Sequence, residues 1–594
     1  MNHRRELLPY LVLVIIIWAY VLLRAWLVPM VHDECASVLW YVQPGKWLPG
    51  HAHLDTNNHL TNSVIGVLSA RLFGVHPFSV RIGSALAFLA YAWGSWHIGS
   101  RVKDRVVRWC MLCALLLIPF VLDFFSMFRG YALEMAAWIL GLEMMLRFGA
   151  GGKARHLIAA LLCLVMATVS MVVLLPTLVV GLSILGLLQL RSWGVTDKRE
   201  RFRGLAYLLL LGALPLLLLV RWILEFKEHG MLVYGGNDSF LQVTVRSLLL
   251  LLTGSGNLWL CWSVVGLIGV CAIVAARTWS RTRDWWSPLV LLTGFLVLEV
   301  AFRMVMAAAT GSNYPPDRTG MHYVPWALCC LAFTIDDLAS RGWGWIRWAA
   351  LPMLAFPLRT VVTANLDHVL IWPEQCIPEK LVRRVLQEQT ELGRPVVLGS
   401  HEQLKQCWLY TARQADLTAP FIQWERFPEG FDDLRLIDRR VVEGCAEGYE
   451  LVDSATGPGL YLFRRKAPLR ERRLLGFTRP PRSGRDEFYD LADIPDTLMR
   501  EALLVQLEVP VTMRERSPGL GVVVEITDTL RNNLYYDNLP LSAQRLEWRG
   551  DTLHFARSLP PFPGAGRAKI YLFNAEHAGM ELGAVQGSIG AIVH

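Results

Sequence analysis

The sequence has few charged residues for its length. Of its 594 residues, 18% are Asp, Glu, Lys or Arg and 54% are hydrophobic, whereas a soluble domain is about 25% charged. The mean hydropathy is +0.36. These values exclude a protein that is soluble throughout. They also require the 58 basic and 50 acidic residues to be concentrated in some segments, which leaves other segments almost uncharged.

Regularly spaced cysteines are also lacking. The 11 cysteines are scattered, and the one C-x-x-C pair, Cys110 and Cys113, lies in an apolar run with no second pair. Neither a disulfide framework nor a zinc cage can be identified from this spacing. Most of the cysteines are therefore predicted to be small core hydrophobes.

Long apolar runs dominate the first 365 residues. The first covers residues 7–30 and follows Arg4 and Arg5. It is long for a signal peptide, and no small-residue cleavage site follows it. A transmembrane helix needs about 20 apolar residues, so we predict about eleven spans. The other ten are centred near residues 89, 115, 139, 165, 182, 213, 267, 298, 329 and 353.

Basic clusters between these runs predict the orientation of the chain. If each run crosses the membrane once, the clusters all fall on the side of the N-terminus, which the positive-inside rule assigns to the cytoplasm. The net charge of +8 then reflects loop orientation and does not indicate nucleic-acid binding. The clusters lie at residues 101–105, 153–155, 198–203, 277–283 and 341–347.

The opposite, extracytoplasmic face receives the first external loop, residues 30–79, and everything after about residue 365. Within the loop, Leu60, Val64, Leu68 and Leu72 recur at helical spacing. This row predicts an amphipathic helix at the outer membrane boundary rather than a further span.

After residue 365 the pattern changes to short helices and strands. We predict a small extracytoplasmic α/β domain over 366–466, an Arg-, Pro- and Gly-rich linker over 467–485, and an extracytoplasmic β-sandwich over 486–594. Carbohydrate binding by the sandwich rests only on analogy with other folds. The predicted fold class is thus a polytopic α-helical membrane protein with about 11 transmembrane helices, a C-terminal α/β unit and a β-sandwich.

Two adjacent acids follow the first span directly. Asp33 and Glu34 could deprotonate a hydroxyl nucleophile or hold a divalent cation. The alternatives are a solvated loop acid, or an N-cap of a helix that begins near Cys35. Further along the loop, residues 50–59 contain three histidines and Asp55, which indicate either a metal site or a polar turn before the interfacial helix.

Other external turns carry arginines together with a second acid. Asp123 and Arg129 share one turn, and Arg318 lies in another. A guanidinium matches the geometry of a phosphate, although Arg129 could instead extend to lipid headgroups. Each turn alone is weak evidence, but acids and arginines are predicted to meet on one membrane face.

Taken together, these motifs resemble the GT-C superfamily of polytopic glycosyltransferases, in particular the branch of the protein O-mannosyltransferases and aminoarabinose transferases. The resemblance covers residues 1 to about 365. It rests on the order and context of short motifs, each of which is common by itself. They are Asp33-Glu34, Asn57-Asn58-His59, Leu72-Phe73-Gly74 with Arg81-Ile82, Arg129-x-Tyr131 and Tyr314…Arg318…Tyr323-x-Pro325.

The resemblance implies roles for particular residues. Asp33 would be the catalytic acid–base residue, with Glu34 assisting it and Asp123 as a second external acid. Leu60 and Thr61 stand where the family commonly has prolines. This difference concerns the geometry of the acceptor side of the site. The remaining implied residues are Arg318 and Arg129 for the donor phosphate, Asn58, His59, Tyr131 and Tyr323 for substrate, and Asp33 and Asp123 for a divalent cation, Mg²⁺ or Mn²⁺, whose use varies within the superfamily.

The implied activity is transfer of a sugar from a polyprenyl-phosphate-linked donor to a hydroxyl on a glycan, lipid or protein, outside the cytoplasm. A bacterial plasma membrane is the expected location. Two alternatives remain open at this point. A transporter or flippase of a lipid-linked glycan should show two related halves, and no internal repeat is visible. A membrane-anchored glycan-binding protein would need only one or two spans.

Overall fold

The computed structural model describes residues 3–192, 198–424, 431–515, 517, 519–541 and 551–593. The chain divides into two compact units. One, the helical unit, consists of Met1–Leu27 and Gly45–Leu366, and the other, the β-rich unit, of Val28–Pro44 and Asp367–His594. The predicted first external loop is therefore split, because its first part groups with the C-terminal tail.

Helices form most of the helical unit and a small part of the β-rich unit. In chain order they are α1 (His3–Leu27), α2 (His32–Ser37), α3 (Leu60–Phe73), α4 (Pro77–Gly99), α5 (Arg105–Leu116), α6 (Pro119–Phe125), α7 (Tyr131–Gly151), α8 (Ala154–Ser170), α9 (Leu175–Ser192), α10 (Lys198–Tyr207), α11 (Leu214–Glu228), α12 (Arg246–Thr253), α13 (Leu258–Thr282), α14 (Pro288–Thr310), α15 (Tyr323–Ser340), α16 (Ala355–Thr363), α17 (Glu379–Leu392), α18 (Glu402–Gln414) and α19 (Val442–Cys445).

Five helical segments of the described chain are long and apolar enough to cross a membrane, and the bent pair α5–α6 would make a sixth. The protein is thus a multi-pass membrane protein, and the count of eleven spans stays a prediction. All the predicted span centres are helical, but the last, near residue 353, lies in a 3₁₀ helix, Gly344–Leu354, ahead of α16. The five segments are Arg5–Leu27, Val172–Arg191, Lys198–Glu228, Leu258–Thr282 and Pro288–Thr310.

The bend between α5 and α6 has a local cause. Pro119 is the first residue of α6, and a proline has no backbone N–H and disfavours helical backbone in the residue before it. The helix therefore breaks ahead of Pro119 and restarts at an angle of 52°. This short second helix carries Asp123.

The predicted interfacial helix is present as α3, which packs against α4 and α8. Its polar residues Asn62, Ser63 and Ser69 are buried, whereas Leu68 and Leu72 are 54% and 75% exposed. The apolar row is therefore turned away from the helical unit. An exposed apolar row on a helix of this kind suits contact with lipid.

The β-rich unit contains fifteen strands within the described residues. They are β1 (Leu398–Ser400), β2 (Ile422–Trp424), β3 (Leu434–Asp438), β4 (Tyr449–Ala455), β5 (Leu460–Arg465), β6 (Arg470–Arg479), β7 (Arg482–Gly484), β8 (Phe488–Ile494), β9 (Leu503–Met513), β10 (Leu520–Asp528), β11 (Asn533–Pro540), β12 (Asp551–Leu559), β13 (Ala565–Asn574), β14 (Met580–Leu582) and β15 (Val585–Val593).

These strands form three sheets. The first is a mixed sheet in the order β2-β1-β3-β5-β4, flanked by α17 and α18, and the other two are antiparallel. One antiparallel sheet has the order β11-β10-β13-β8, and the other β6-β15-β9-β14-β7 with β12 paired to β9. Alternation of buried and less buried residues along β9 and β13 fits strands with one face on a core.

The prediction of a linker over residues 467–485 is wrong. It forms the strands β6 and β7, and β6 pairs along its whole length with β15. The α/β part and the sandwich also share a hydrophobic cluster, in which Val397 lies with Leu504, Ala556 and Ile592. The two predicted C-terminal domains therefore form one compact unit without a linker between them.

Candidate functional site

Arg129 and the loop before α3 meet at the N-terminal end of α7. Arg129, which is 3% exposed, donates a hydrogen bond to Oδ1 of Asn57, and its guanidinium lies 5.8 Å from the centre of the Tyr131 ring. The intervening residue must be small. A Cβ on Gly130 would come within 2.5 Å of the Ser170 carbonyl and 2.8 Å of His59 Cβ, so glycine permits this approach.

His59 is the central residue of this cluster. It is 7% exposed, its ring lies 5.5 Å from that of Tyr131, and it bonds to the backbone of Ser170. Nε2 has no hydrogen-bond partner among the described residues, so the bond to Ser170 uses Nδ1. Burial, and then the charges of Arg129 and Arg318, hold the pKa of His59 well below its usual value. The ring is therefore neutral, and Nε2 has a lone pair that can accept a hydrogen bond.

Arg318 is positioned by two neighbouring side chains. Its Nη1 donates to the Tyr234 hydroxyl at 2.7 Å and lies 3.6 Å from Oδ1 of Asp317. The same tyrosine hydroxyl donates to Oδ2 of Asp317 at 2.6 Å. Asp317 has a φ of +39°, which is uncommon outside glycine and costs energy. The strained backbone of Asp317 thus accompanies the bonds among Asp317, Tyr234 and Arg318. The Arg318 side chain is 16% exposed.

The two arginines and His59 form one polar cluster in the helical unit. The charges of both guanidinium groups lower the pKa of His59. The Tyr131 phenol is among the groups that raise the pKa of Tyr234. Two cations, a neutral imidazole acceptor and two phenols can together bind an anion and the hydroxyl groups next to it. We call His59, Arg129, Tyr131, Tyr234 and Arg318 the arginine–histidine cluster.

Tyr323, predicted to contact substrate, instead joins a buried charged network. Its hydroxyl donates to Oε2 of Glu299 at 2.6 Å, and Arg303 donates to Oε1 of the same carboxylate at 2.6 Å. Thr177 donates to that carboxylate as well, at 3.0 Å. Each partner is almost fully buried, so the network links α9, α14 and α15.

Asp123, predicted as a second catalytic acid, forms a buried ion pair. Its Oδ1 accepts a hydrogen bond from Nη2 of Arg24 at 2.7 Å, and the two side chains are 4% and 1% exposed. Arg24 also donates to the carbonyl of Asn365 at 2.6 Å. The pair joins α1 to α6. The sequence does not indicate Arg24 as a partner, because it lies within the first apolar run, 99 residues from Asp123.

Asn58, predicted to contact substrate, is also used within the fold. Its side chain donates to the carbonyl of Trp47 at 3.1 Å and accepts from Ser63 at 2.9 Å. These bonds fix the loop at the start of α3. Asn58 therefore positions its neighbours Asn57 and His59.

Asp33 and Glu34 lie on α2, in the β-rich unit. The helix begins one residue before Asp33, and Val31 is its N-cap, so the alternative of Asp33 as N-cap is wrong. Glu34 is fully buried and accepts the backbone N–H of Val31 at 3.1 Å. Asp33 is half-buried in the first turn, where a helix dipole favours a carboxylate.

A divalent cation finds little support in these positions. In the chain as described, no group of three or more His, Cys, Asp or Glu side chains is arranged to hold a metal ion. Asp123 already has the positive charge of Arg24 beside it, and Asp33 belongs to the other compact unit. A divalent cation held by Asp33 and Asp123 stays a prediction.

No family model and no curated protein matches the sequence. Among solved structures, ArnT from Cupriavidus metallidurans in the apo state aligns over 78% of this chain and 98% of its own, with 12% identity and a TM-score of 0.44. ArnT bound to undecaprenyl phosphate aligns over 77% and 97%, with 14% identity and a TM-score of 0.43. Arabinosyltransferase EmbB from Mycobacterium smegmatis aligns over 98% and 64%, with 10% identity and a TM-score of 0.36. Likeness at this level does not assign an activity to this chain.

Replacing Asp123 tests its role in the fold. Asp123→Asn leaves the buried Arg24 without a countercharge, which should lower the free energy of unfolding by about 3–5 kcal/mol. Thermal unfolding in detergent measures this as a lower Tm, with the exposed loop acid in Asp284→Asn as control. An unchanged Tm together with lost activity would instead support a catalytic role.

The low pKa of His59 predicts an effect of pH on stability. The unfolded state takes up a proton near pH 6.5 and the buried ring does not, so stability present above that pH is lost as the pH falls towards the folded pKa. His59→Gln should reduce the fall in Tm between about pH 7.5 and pH 5.5. The exposed His229→Gln serves as control. An identical fall in wild type and His59→Gln would contradict the buried neutral ring.

Proposed function

We propose that the protein is a GT-C-type glycosyltransferase that moves a sugar from a polyprenyl-phosphate-linked donor to a hydroxyl acceptor on the extracytoplasmic face of the membrane. The observation that carries the proposal is the arginine–histidine cluster. It offers two guanidinium groups and a neutral imidazole acceptor, at turns that the charge pattern of the loops assigns to that face. A lipid-linked phosphate with a sugar attached presents the matching groups, an anion and neighbouring hydroxyls.

The chemistry assigned to the arginines is stabilisation of the leaving group. When the acceptor hydroxyl attacks the anomeric carbon, the bond to the phosphate oxygen breaks and negative charge grows on the departing polyprenyl phosphate. Arg318 and Arg129 would bind that charge more strongly in the transition state than in the donor, and this difference lowers the barrier. Nε2 of His59 would accept a hydrogen bond from a sugar hydroxyl.

Asp33 is assigned the acid–base role by the resemblance, and its chemistry fits. A half-buried carboxylate can take the proton of the attacking hydroxyl. Glu34 differs from Asp33 because its carboxylate already holds the backbone of α2. We therefore assign proton transfer to Asp33 and positioning of the helix to Glu34.

A transporter of a lipid-linked glycan is the second candidate, since ionisable residues are buried in the helices. Nδ1 of His322 lies 3.3 Å from Oε1 of Glu134, and both side chains are fully buried. Such residues inside a membrane protein often mark a transport path. Transfer of radiolabel from a polyprenyl-phosphate sugar to an acceptor separates the two activities, because a transporter moves its cargo without breaking the glycosidic bond.

Removing the charge of Arg318 should weaken binding of the lipid phosphate. A hydrogen bond to a charged group contributes about 1.5–3 kcal/mol, so Arg318→Gln should raise the Kd for polyprenyl phosphate by about 10- to 100-fold. Binding to protein in nanodiscs measures this. Arg221→Gln, which removes an exposed arginine of α11, is the matched control. Equal affinities in wild type and Arg318→Gln would contradict the phosphate site.

Replacing Asp33 should separate chemistry from binding. Asp33→Asn cannot accept the proton, so we expect transfer of labelled sugar to be lost while the Kd for polyprenyl phosphate and the Tm stay unchanged. Asp496→Asn, an exposed acid elsewhere in the β-rich unit, is the control. Near-normal turnover by purified Asp33→Asn would rule out its assigned role.

A further inference from the structure

Three cysteines gather in the β-rich unit around α2. Cys35 lies on α2, Cys407 on α18 and Cys376 just before α17, and each is 0% exposed. The helices α2 and α18 pack against each other. Burial, and then the neighbouring Cys35 thiol, raise the pKa of Cys407, so the two thiols lie at the same contact between these helices. No sequence pattern indicates this contact, because the two residues are more than 370 positions apart.

The hydrogen bonds of these thiols contribute little to the fold in the reduced state. Cys35 donates to the Met30 carbonyl at 3.7 Å and Cys407 to the Gln403 carbonyl at 3.8 Å, and a thiol is a weak donor. Metal binding does not explain the group, since no metal-ligand cluster occurs among the described residues. Cys376 is turned to a different acceptor, the Pro29 carbonyl, at 3.8 Å.

We propose that Cys35 and Cys407 form a disulfide in the mature protein, which fixes α2, and with it Asp33 and Glu34, to α18. The proposal rests on the extracytoplasmic position of this unit, which is part of the proposed function, and not on sugar transfer itself. Disulfides persist outside the cytoplasm and are rare within it. The pairing of Cys35 with Cys407, rather than with Cys376, follows from the packing of α2 on α18, the two helices that carry these thiols.

The reaction is thiol–disulfide exchange with a disulfide-bearing oxidant of the extracytoplasmic space. One cysteine thiolate attacks the oxidant to give a mixed disulfide and releases one thiol. The second cysteine then attacks the mixed disulfide, which yields the Cys35–Cys407 bond and a second released thiol. Two protons and two electrons pass from the cysteines to the oxidant, which is reduced to two thiols.

The burial of the pair determines when the bond can form. The thiolate is the attacking species, and burial raises the pKa of Cys407 well above its ordinary value. Both thiols are also closed to solvent in the folded chain. The bond is therefore formed during folding, before α2 docks on α18, and afterwards it is shielded from reductants.

The bond would connect the segment after α1 with the tail that follows the helical unit. The loop it closes contains the whole of Gly45–Leu366, and long closed loops restrict the unfolded chain most. It would also hold Asp33 on a fixed helix, which a catalytic group requires.

Peptide mapping of the purified full-length protein tests the proposal. Free thiols are first blocked by alkylation in denaturant, and the sample is digested without reductant. We expect a Cys35–Cys407 cross-linked peptide that disappears on reduction, and a lower Tm after Cys407→Ser or Cys35→Ser. Cys376→Ser should keep the cross-link and serves as the matched control. Alkylation of both Cys35 and Cys407 in the unreduced protein, or a Cys35–Cys376 cross-link, would overturn the proposal.

Sugar transfer is measured on the same preparation, so the two proposals can fail separately. A cross-linked protein that transfers no sugar would contradict the transferase and leave the disulfide standing. An active protein with both thiols free would overturn the disulfide alone.

Discussion

Burial of positive charge in an apolar helical unit is the constraint on which the rest of this structure depends. A guanidinium inside a membrane protein is costly unless a carboxylate or carbonyl accepts its hydrogen bonds. Several buried cations here meet that need with partners on other helices or one turn away. The buried pairs are Arg24 with Asp123, Arg108 with Glu6 and Arg303 with Glu299. The half-buried Arg101 and Arg147 pair with the buried Glu143.

The need to pair buried polar groups separates the predicted active-site residues into those bonded within the fold and those in the arginine–histidine cluster. Asp123 and Tyr323 are committed to buried pairs that hold helices together, and Asn58 and Glu34 fix their local backbone. The other residues predicted for the site in the helical unit, His59, Arg129, Tyr131 and Arg318, belong to the arginine–histidine cluster. Its arginines are oriented by neutral or strained neighbours, Asn57, Tyr234 and Asp317, and its imidazole keeps an unbonded Nε2.

Much of the fold could be predicted from the sequence, because local signals determine it. Apolar runs and the spacing of leucines located the helices, α3 included, and short alternating patterns located several strands of the tail. The basic strand β6 was mistaken for a linker. It forms the edge of its sheet, where exposed charges are common because they prevent pairing with other chains, so its composition resembles that of a loop.

Partners distant in the chain could not be predicted. Nothing near Arg24 in the sequence indicates Asp123, and nothing near Cys35 indicates Cys407, because tertiary packing alone brings them together. Arginines in external turns are easier to interpret from sequence than acids. A guanidinium in an external turn has few structural uses, whereas an acid at a helix start can pair, cap or catalyse, and only the packing decides which.

The most direct measurement is a cryo-EM structure of the full chain in nanodiscs with added polyprenyl phosphate. We predict phosphate density within hydrogen-bond distance of the Arg129 and Arg318 guanidinium groups. Phosphate density elsewhere, with the arginine–histidine cluster unchanged and unoccupied at saturating lipid, would contradict it.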